Sequence, residues 1–312
     1  MEYITLKNSD LKVSRLGMGG CPMGGYGWGE VQEQELIDAV HVALDNGITI
    51  FDTADTYGLG QSEKILGKAL GNKRKDVVIA DKFGVRVGNG KTYYDNSPSY
   101  IKRALEQSLK NLGTDYIDLY QVHYRDKKTP LSVVINTLDE LKKEGKIRYY
   151  GLSNIHESDY EEIRPFIGKI VSVQDEYSLA CRKNEQDLKK LYADFEISPF
   201  TWGSLGQGVL TGKYDKNVIF ESNDRRSREI YVNFHGEKLI KNLNIVEAMK
   251  PIAEAYSKSV SAVAIRYILD WLEESVVLVG AKRPSQIMGN IQGTDWKLKD
   301  DELERLEKIS RD

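Results

Sequence analysis

Short apolar runs alternate along the chain with longer segments in which apolar residues recur every three to four positions. The short runs are four to six residues long and show little alternation of apolar and polar residues. That pattern is typical of strands that are buried on both faces of a sheet. It predicts eight strands: Ser14–Met18, Ile48–Asp52, Val77–Asp81, Ile117–Val122, Ile147–Gly151, Val171–Gln174, Glu196–Pro199 and Val276–Val279.

The longer segments have the periodicity of amphipathic helices. Residues typical of helix caps support some of the predicted helix ends. Ser97 and Pro98 provide a cap residue and a first-turn proline, and Gly145 follows a helix at the position that favours glycine. The helices predicted in this way are Gln32–Asn46, Pro98–Leu112, Leu131–Glu144, Asn184–Tyr192, Asn242–Tyr256 and Ser261–Leu272.

Eight strands joined by helices predict an α/β fold, a (β/α)8 TIM barrel that occupies residues 1–312 as a single domain. Thr5–Val13, with Asn8-Ser9-Asp10 at its centre, predicts a short N-terminal β-hairpin. The alternative is a doubly wound open sheet, which needs a glycine-rich turn that leads into a helix. Gly17–Gly29 is rich in glycine but lacks the GxGxxG spacing, so the barrel is favoured. Lys213–Lys241 is a long polar segment of the kind that is usually functional or mobile.

The charge balance and the two cysteines exclude several classes of protein. The net charge is −3 and the pI is about 6.0, which does not favour nucleic acid or an anionic membrane as a partner. No apolar run has the length of a membrane span, and the first ten residues do not resemble a signal peptide. Cys21 and Cys181 predict neither a disulfide framework nor a metal site. We expect a cytoplasmic protein.

Polar side chains close or follow several of the predicted strands. In a (β/α)8 barrel the carboxyl ends of all strands meet at one mouth, where catalytic groups lie. We therefore expect the following side chains to converge: Asp52, Asp55, Tyr57, Lys82, His123, Ser153, Asn154 and Gln174.

Five short motifs resemble those of the aldo-keto reductase family, in the family's order, and the resemblance extends from Leu6 to about Ile309. Within the family they look closest to bacterial reductases of the inositol-utilisation type and to potassium-channel β subunits. The motifs are Phe51–Gly58 (FDTADTYG), Gly151–Asn154 (GLSN), Gln174–Leu179 (QDEYSL), Leu210–Lys213 (LTGK) and Gly280–Lys282 (GAK) followed by Gln286 and Asn290.

The resemblance implies catalytic roles for four residues and requires no metal ion. Hydride that reaches a carbonyl carbon leaves charge on the oxygen, and Tyr57 would supply the proton. The ordinary pKa of tyrosine is ~10, and a nearby ammonium group on Lys82 is expected to lower it. Asp52 would pair with Lys82, and His123 would donate a hydrogen bond to the carbonyl oxygen. Singly, an aspartate after a strand is often a helix cap and a histidine there is often a core residue. Their joint occurrence favours catalysis.

The resemblance also implies that the protein binds NADPH. Ser153, Asn154 and Gln174 match residues that hold the nicotinamide carboxamide. Trp202 matches an aromatic residue that stacks on the nicotinamide ring, with a core tryptophan as the alternative interpretation. The loop against the pyrophosphate is matched by Gly203, Ser204, Leu205, Gly206, Gln207 and Lys213, with Arg226 as a weaker candidate. The adenosine end is matched by Gly280, Lys282, Gln286, Gly289 and Asn290.

The adenosine motif departs from the family pattern at two positions. Gly289 stands where many relatives have a glutamate that contacts the adenine amine, and Gln286 stands where some have an arginine that holds the 2′-phosphate. Lys282 and Arg283 still supply positive charge. No acidic residue in that motif opposes the phosphate.

Four other residues are unusual for the family or uncertain in their role. Asp81 stands where a threonine is usual, and strand alternation predicts that it points away from Lys82, towards the helices. Tyr124-Arg125 replaces a more usual Trp-Pro after the catalytic histidine, which changes the substrate pocket. Cys21 lies in the first loop near the mouth, where a redox role and a plain pocket residue are both open, the second being favoured.

Two functions follow from the sequence. The first is an NADP(H)-dependent reductase of a small-molecule carbonyl substrate, an aldehyde or ketone that includes sugar-derived ones. The second is a cofactor-sensing regulatory subunit, which the channel β subunits exemplify. The absence of an N-terminal extension ahead of the barrel favours the enzyme. The sequence determines neither the substrate nor the oligomeric state.

Overall fold

The computed structural model describes residues 1–88 and 90–311. Its strands are β1 (Tyr3–Thr5), β2 (Lys12–Ser14), β3 (Leu16–Gly19), β4 (Ile50–Asp52), β5 (Val78–Phe83), β6 (Val85–Gly88), β7 (Lys91–Tyr94), β8 (Ile117–Val122), β9 (Ile147–Ser153), β10 (Ile170–Glu176), β11 (Ser198–Trp202) and β12 (Val276–Gly280). Its helices are α1 (Glu33–Asp45), α2 (Gln61–Leu70), α3 (Pro98–Leu112), α4 (Leu131–Lys143), α5 (Tyr160–Ile163), α6 (Glu185–Phe195), α7 (Gly236–Ala255), α8 (Val260–Trp271), α9 (Pro284–Ile291) and α10 (Asp300–Ser310).

Eight parallel strands form a closed barrel in the order β10-β11-β12-β3-β4-β5-β8-β9. The barrel closes because β9 pairs with β10, where Gln174 lies beside Ser153. The prediction of a (β/α)8 barrel is therefore confirmed, and each of the eight predicted strands overlaps a strand of the barrel. The start of β11 was predicted too early, because Glu196 adopts a left-handed conformation (φ 55°) as the C-cap of α6 and the strand begins only at Ser198.

The predicted N-terminal hairpin is formed by β1 and β2, and it packs against one end of the barrel. Its apolar residues Leu6, Leu11 and Val13 belong to the same buried cluster as interior residues of the barrel, such as Ile50 and Phe200. Burying this apolar surface closes the amino-terminal end of the barrel. The carboxyl ends of the strands therefore remain for the functional site.

Capping signals place the helices where the sequence predicts them. The hydroxyl of Ser97 accepts a hydrogen bond from the backbone of Tyr100, Pro98 opens α3, and Gly113 ends it with φ 64°. Helix α7 begins at Gly236 rather than at the predicted Asn242, so the polar segment after Lys213 is shorter than expected.

Several elements were not predicted from the sequence. Helices α2, α9 and α10 were not predicted, although Ile65, Leu66 and Ala69 in α2 have helical spacing. The hairpin of β6 and β7 was not predicted, because its residues are largely exposed on both faces and show no apolar pattern. In the described residues no helix is both long enough and apolar enough to cross a membrane.

Candidate active site

Four predicted catalytic residues lie at the carboxyl ends of neighbouring strands. Asp52 closes β4, Lys82 lies near the end of β5, and His123 directly follows β8. Tyr57 lies in the loop between β4 and α2. The strand order β4-β5-β8 places three of these ends side by side at the mouth.

Lys82 and Asp52 form a buried ion pair. The Lys82 Nζ atom lies 2.5 Å from Asp52 Oδ2, and the two side chains are 0% and 4% exposed. Gln174 Nε2 also donates a hydrogen bond to Asp52 Oδ2, at 2.8 Å. A buried charge is tolerated only when it is paired and hydrogen-bonded. The pair therefore fixes the position of the ammonium group.

Tyr57 lies between this ammonium group and His123. The Lys82 Nζ atom is 5.1 Å from the centre of the Tyr57 ring. The His123 ring meets Tyr57 edge-on, with 5.8 Å between the ring centres. Burial, followed by the charge of Asp52, raises the pKa of Tyr57 well above its ordinary value. This is the opposite of the direction expected from Lys82 alone, because burial of the hydroxyl dominates and the charge of Asp52 acts in the same direction. Tyr57 is therefore a neutral phenol that retains its proton.

His123 is held as a neutral ring. Burial and the charge of Lys82 lower its pKa well below the ordinary value. Its backbone nitrogen donates to the Phe83 carbonyl at 2.8 Å, and its own carbonyl accepts from Asn154 Nδ2 at 3.0 Å. Among the described residues its Nδ1 atom has no hydrogen-bond partner. A neutral imidazole that is fixed by its backbone can donate to a substrate oxygen.

Two carboxyl groups of the same region face away from the mouth. Asp55 Oδ2 accepts a hydrogen bond from the Tyr100 hydroxyl at 2.7 Å. Asp81 is buried and interacts electrostatically with Glu63 of α2, which confirms that it points towards the helices. Sequence reasoning therefore grouped Asp55 with the wrong face of the barrel, and it missed the proximity of Asp81 to Glu63 because α2 was not predicted.

The predicted nicotinamide residues lie together on β9, β10 and β11. The Ser153 hydroxyl donates to the Gln174 carbonyl at 2.7 Å, and Asn154 Nδ2 donates to Ser153 Oγ at 3.0 Å. Asn154 adopts a left-handed conformation with φ 57°. Trp202 is partly exposed and lines a cavity with Asn154. The Gln174 amide instead points to Asp52, so it links the predicted nicotinamide residues to the ion pair of Asp52 and Lys82.

The loop after β11 contains the residues predicted to line the pyrophosphate. Gly203 and Gly206 have φ values of 65° and 56°, which favour glycine. The Ser204 hydroxyl donates to the Leu278 carbonyl at 2.9 Å, so it fixes the loop to β12. Gln207 Nε2 donates to Glu176 at 3.2 Å. Of the other residues in the predicted set, Leu205 is partly buried and Lys213 is exposed.

The adenosine residues cluster at the start of α9. Gln286 Oε1 accepts from the Lys282 backbone nitrogen at 2.7 Å, and Lys282 Nζ donates to the Trp28 carbonyl at 2.7 Å. Asn290 is buried, and an added Cβ at Gly280 would lie only 2.8 Å from Pro22. Lys282 therefore bridges this motif to the first loop of the barrel.

Several charges surround the Lys282 ammonium group. Burial lowers its pKa, and the nearby cations Arg226, Arg283 and Lys213 act in the same direction. Asp224 opposes them and also pairs with Arg226 at 2.6 Å. Sequence reasoning found no acid in the adenosine motif itself, but the fold brings one in from the loop before α7. The region is thus a cluster of four cations with one carboxylate.

Cys21 lies close to the catalytic residues. Its sulfur accepts a hydrogen bond from Trp28 Nε1 at 3.3 Å, and burial raises the pKa of the thiol. A thiol held in its neutral form is a poor nucleophile. The geometry therefore favours the interpretation as a pocket residue over a redox role.

Comparisons with known proteins agree with this geometry. Residues 15–311 match the model of the aldo/keto reductase family. The chain is 34% identical over 312 residues to the aldo-keto reductase YhdN of Bacillus subtilis (strain 168), covering 99% of this chain and 93% of that protein. It is 31% identical to the NADH-specific methylglyoxal reductase of Escherichia coli (strain K12), covering 96% of this chain and 95% of that protein.

A solved structure has the same architecture. The glycerol dehydrogenase AKR11B4 from Gluconobacter oxydans superposes with a TM-score of 0.89 at 32% identity, covering 98% of this chain and 94% of that chain. The barrel, the polar residues at its mouth and these matches lead to one conclusion. This chain belongs to the aldo-keto reductase family.

Proposed function

We propose that this protein reduces small aldehydes or ketones with NADPH, with Tyr57 as the proton donor. The observation that carries the proposal is the convergence of four groups at the barrel mouth. Lys82 is paired with Asp52 at 2.5 Å and lies beside the Tyr57 ring, and the His123 ring meets that same tyrosine. A carbonyl placed against Tyr57 and His123 would meet two neutral hydrogen-bond donors.

The proton is held on the Tyr57 hydroxyl until it is needed. The raised pKa of Tyr57 keeps the group protonated at neutral pH. Charge that develops on a carbonyl oxygen makes that oxygen a strong enough base to take the proton. The ammonium group of Lys82, 5.1 Å from the ring centre, then stabilises the phenolate that is left. His123 orients the oxygen through a neutral N–H donor.

The residues present fit a nicotinamide dinucleotide that lies across the mouth. Trp202 and Asn154 offer an aromatic face and an amide at one end. Lys282 lies at the other end with Arg226, Arg283 and Lys213 nearby, which suits phosphate groups. When bound, the reduced nicotinamide supplies the hydride. The chain supplies the binding charges, the orientation of the carbonyl and the proton.

The cation cluster supports NADPH over NADH, since the 2′-phosphate adds about two negative charges at the adenosine end. The carboxylate of Asp224 beside Lys282 acts in the opposite direction. A similar enzyme of Escherichia coli is named as NADH-specific, so both nucleotides belong in the test. The four cations outnumber the single acid, and we propose NADPH as the preferred cofactor.

The test is a steady-state assay of the purified protein with NADPH and with NADH. The substrates are a panel of aldehydes, ketones and sugar-derived carbonyl compounds, and the corresponding alcohols are assayed with NADP⁺. The proposal expects oxidation of NADPH that depends on the carbonyl substrate. The absence of turnover with every substrate, despite tight nucleotide binding, would contradict it and would favour a cofactor-sensing role.

A further inference from the structure

A cavity of about 360 Å³ opens beside the catalytic histidine. It is lined by Tyr124, Asn154 and Trp202 among other residues. The Tyr124 ring stacks on the His123 ring, with 5.2 Å between the ring centres and 24° between the planes. Asn154 reaches the His123 carbonyl from the other side. A molecule with its carbonyl at His123 can therefore extend along the Tyr124 ring into this cavity. Its volume is in the range of small-molecule sites.

The lining of the cavity contains more cations than carboxylates. Three cationic side chains line it, Arg125, Lys127 and Lys183, together with the carboxylate of Glu176. Each of these cations pairs with a carboxylate, and of those carboxylates only that of Glu176 lines the cavity.

Arg125 is a fixed cation at the base of the cavity. Its side chain is 3% exposed, and two of its nitrogens contact the Glu162 carboxylate at 3.0 and 3.1 Å. Among the described residues, its Nε atom has no hydrogen-bond partner. A guanidinium group held in this way cannot leave the cavity wall, so its charge persists whether or not a substrate is bound.

Lys183 is the cation best placed to adjust to a ligand. Its side chain is 66% exposed, and its Nζ atom is 3.6 Å from Glu176, which is longer than a hydrogen bond. Glu176 is also held by the Gln207 amide at 3.2 Å. The Lys183 ammonium group can therefore turn towards an incoming anion while Glu176 keeps a hydrogen-bond partner.

We propose that the preferred substrates carry an anionic group, a carboxylate or a phosphate, a few bonds from the carbonyl, and that Lys183 contacts this group. The inference rests on the proposed carbonyl reductase function and specifies its substrate class. The carbonyl faces Tyr57 and His123, the middle of the substrate lies against Tyr124, and the anion lies among the three cations. Charge-assisted hydrogen bonds of an ammonium group to such oxygens are stronger than neutral ones.

The experiment compares matched pairs of aldehydes with the NADPH-loaded enzyme. Butanal is paired with succinic semialdehyde for the carboxylate, and glyceraldehyde with glyceraldehyde 3-phosphate for the phosphate. In each pair kcat/KM is measured at low and high salt for the wild type, for Lys183→Gln and for the control Lys190→Gln. Lys190 is an exposed lysine that pairs with Asp194 on α6 and does not line the cavity.

The wild type is expected to favour the anionic member of at least one pair by about 10-fold, which is the usual effect of one charge-assisted hydrogen bond. The pair that shows the preference identifies the anion. Salt should reduce the preference, and Lys183→Gln should remove most of it, whereas Lys190→Gln should retain it.

Equal kcat/KM values within both pairs, or equal preferences in Lys183→Gln and Lys190→Gln, would overturn the inference and leave the proposed function standing. Failure to reduce any of the four aldehydes would also overturn the inference. Only the absence of turnover with every compound of the wider carbonyl panel would contradict the proposed function as well.

Discussion

Lys82 Nζ lies 2.5 Å from Asp52 Oδ2 inside the barrel, with both side chains almost completely buried. The pair gives the site a fixed positive charge next to Tyr57 without leaving a net charge in the interior. Breaking such a pair by removing one partner costs far more than replacing both, because the remaining charge is desolvated and unpaired. The relationship therefore makes a prediction about stability as well as about catalysis.

Lys82→Met should lower the free energy of unfolding by about 3–5 kcal/mol, because it leaves Asp52 buried without its cation. The double variant Asp52→Asn/Lys82→Met should recover a large part of this loss, since asparagine is neutral and can still accept the hydrogen bond from Gln174. Urea denaturation of the three proteins measures both effects. A double variant as unstable as Lys82→Met would show that the cost comes from packing rather than from charge.

The burial of Asp81 and Glu63 makes the stability depend on pH. Both carboxyl groups have a raised pKa, caused mainly by burial. The folded protein then binds more protons than the unfolded chain above the ordinary pKa of aspartate, 3.8. The stability contribution of the pair is therefore present at low pH and is lost as the pH rises towards the raised values.

Asp81→Asn should remove much of this dependence. The asparagine oxygen can accept from the Lys82 backbone as Asp81 does, and the asparagine side chain does not titrate. As the pH rises from the ordinary pKa of aspartate, 3.8, towards the raised pKa of Asp81, the wild type should lose stability relative to Asp81→Asn. Denaturation curves across that range check the result, with the exposed Asp194→Asn as the control. Parallel pH profiles of the wild type and Asp81→Asn would contradict the raised pKa of Asp81.

Lys282→Ala should weaken NADPH binding by about 1.5–3 kcal/mol and leave NADH binding nearly unchanged, because a hydrogen bond to a charged group is lost only with the 2′-phosphate. Asp224→Asn should shift the preference in the other direction, towards NADPH, since it removes the single acid near Lys282. Fluorescence titrations give the two dissociation constants for each variant. Equal losses of NADPH and NADH affinity in Lys282→Ala would show that the lysine does not contact the 2′-phosphate.

Trp202 should report nucleotide binding. It is expected to stack on the nicotinamide, so NADPH should quench tryptophan fluorescence, and Trp202→Leu should remove most of that quench. Substitution of Trp271 serves as the control, because the indole nitrogen of Trp271 donates to Glu185 at 2.9 Å, away from the mouth. A quench that is undiminished in Trp202→Leu would assign the signal to another tryptophan.

Much of the fold could be predicted because each barrel strand is a short run of residues buried on both faces. Val78–Phe83, for example, is buried at all six positions, and such runs are distinct in a sequence. The hairpin Val85–Gly88 with Lys91–Tyr94 could not be predicted in this way, because an exposed ribbon leaves no apolar periodicity. Strand ends were off by up to three residues, as at Trp202, where β11 continues into the mouth.

The candidate site was predictable to the extent that its residues close successive strands. Asp52, Lys82 and His123 meet because β4, β5 and β8 are neighbours. Contacts between distant loops were not predictable. Asp224 reaches Lys282 from a loop whose course depends on the whole fold, and the raised pKa of Tyr57 depends on burial that no local motif encodes.

The central claim is that the Tyr57 hydroxyl gives the proton to the carbonyl oxygen. Tyr57→Phe retains the ring and its edge-on contact with His123 but deletes the hydroxyl proton. The variant should bind NADPH with a nearly unchanged dissociation constant, because the cations proposed to hold the nucleotide lie around Lys282.

The most direct measurement is the single-turnover rate of carbonyl reduction by Tyr57→Phe, with a fluorescence titration of NADPH on the same preparation. Loss of general-acid catalysis predicts a rate that is lower by about 10²–10⁴-fold or more, with nucleotide affinity retained. A variant that binds NADPH and retains most of the wild-type rate would contradict the account, and His123 would then be the leading candidate for the acid.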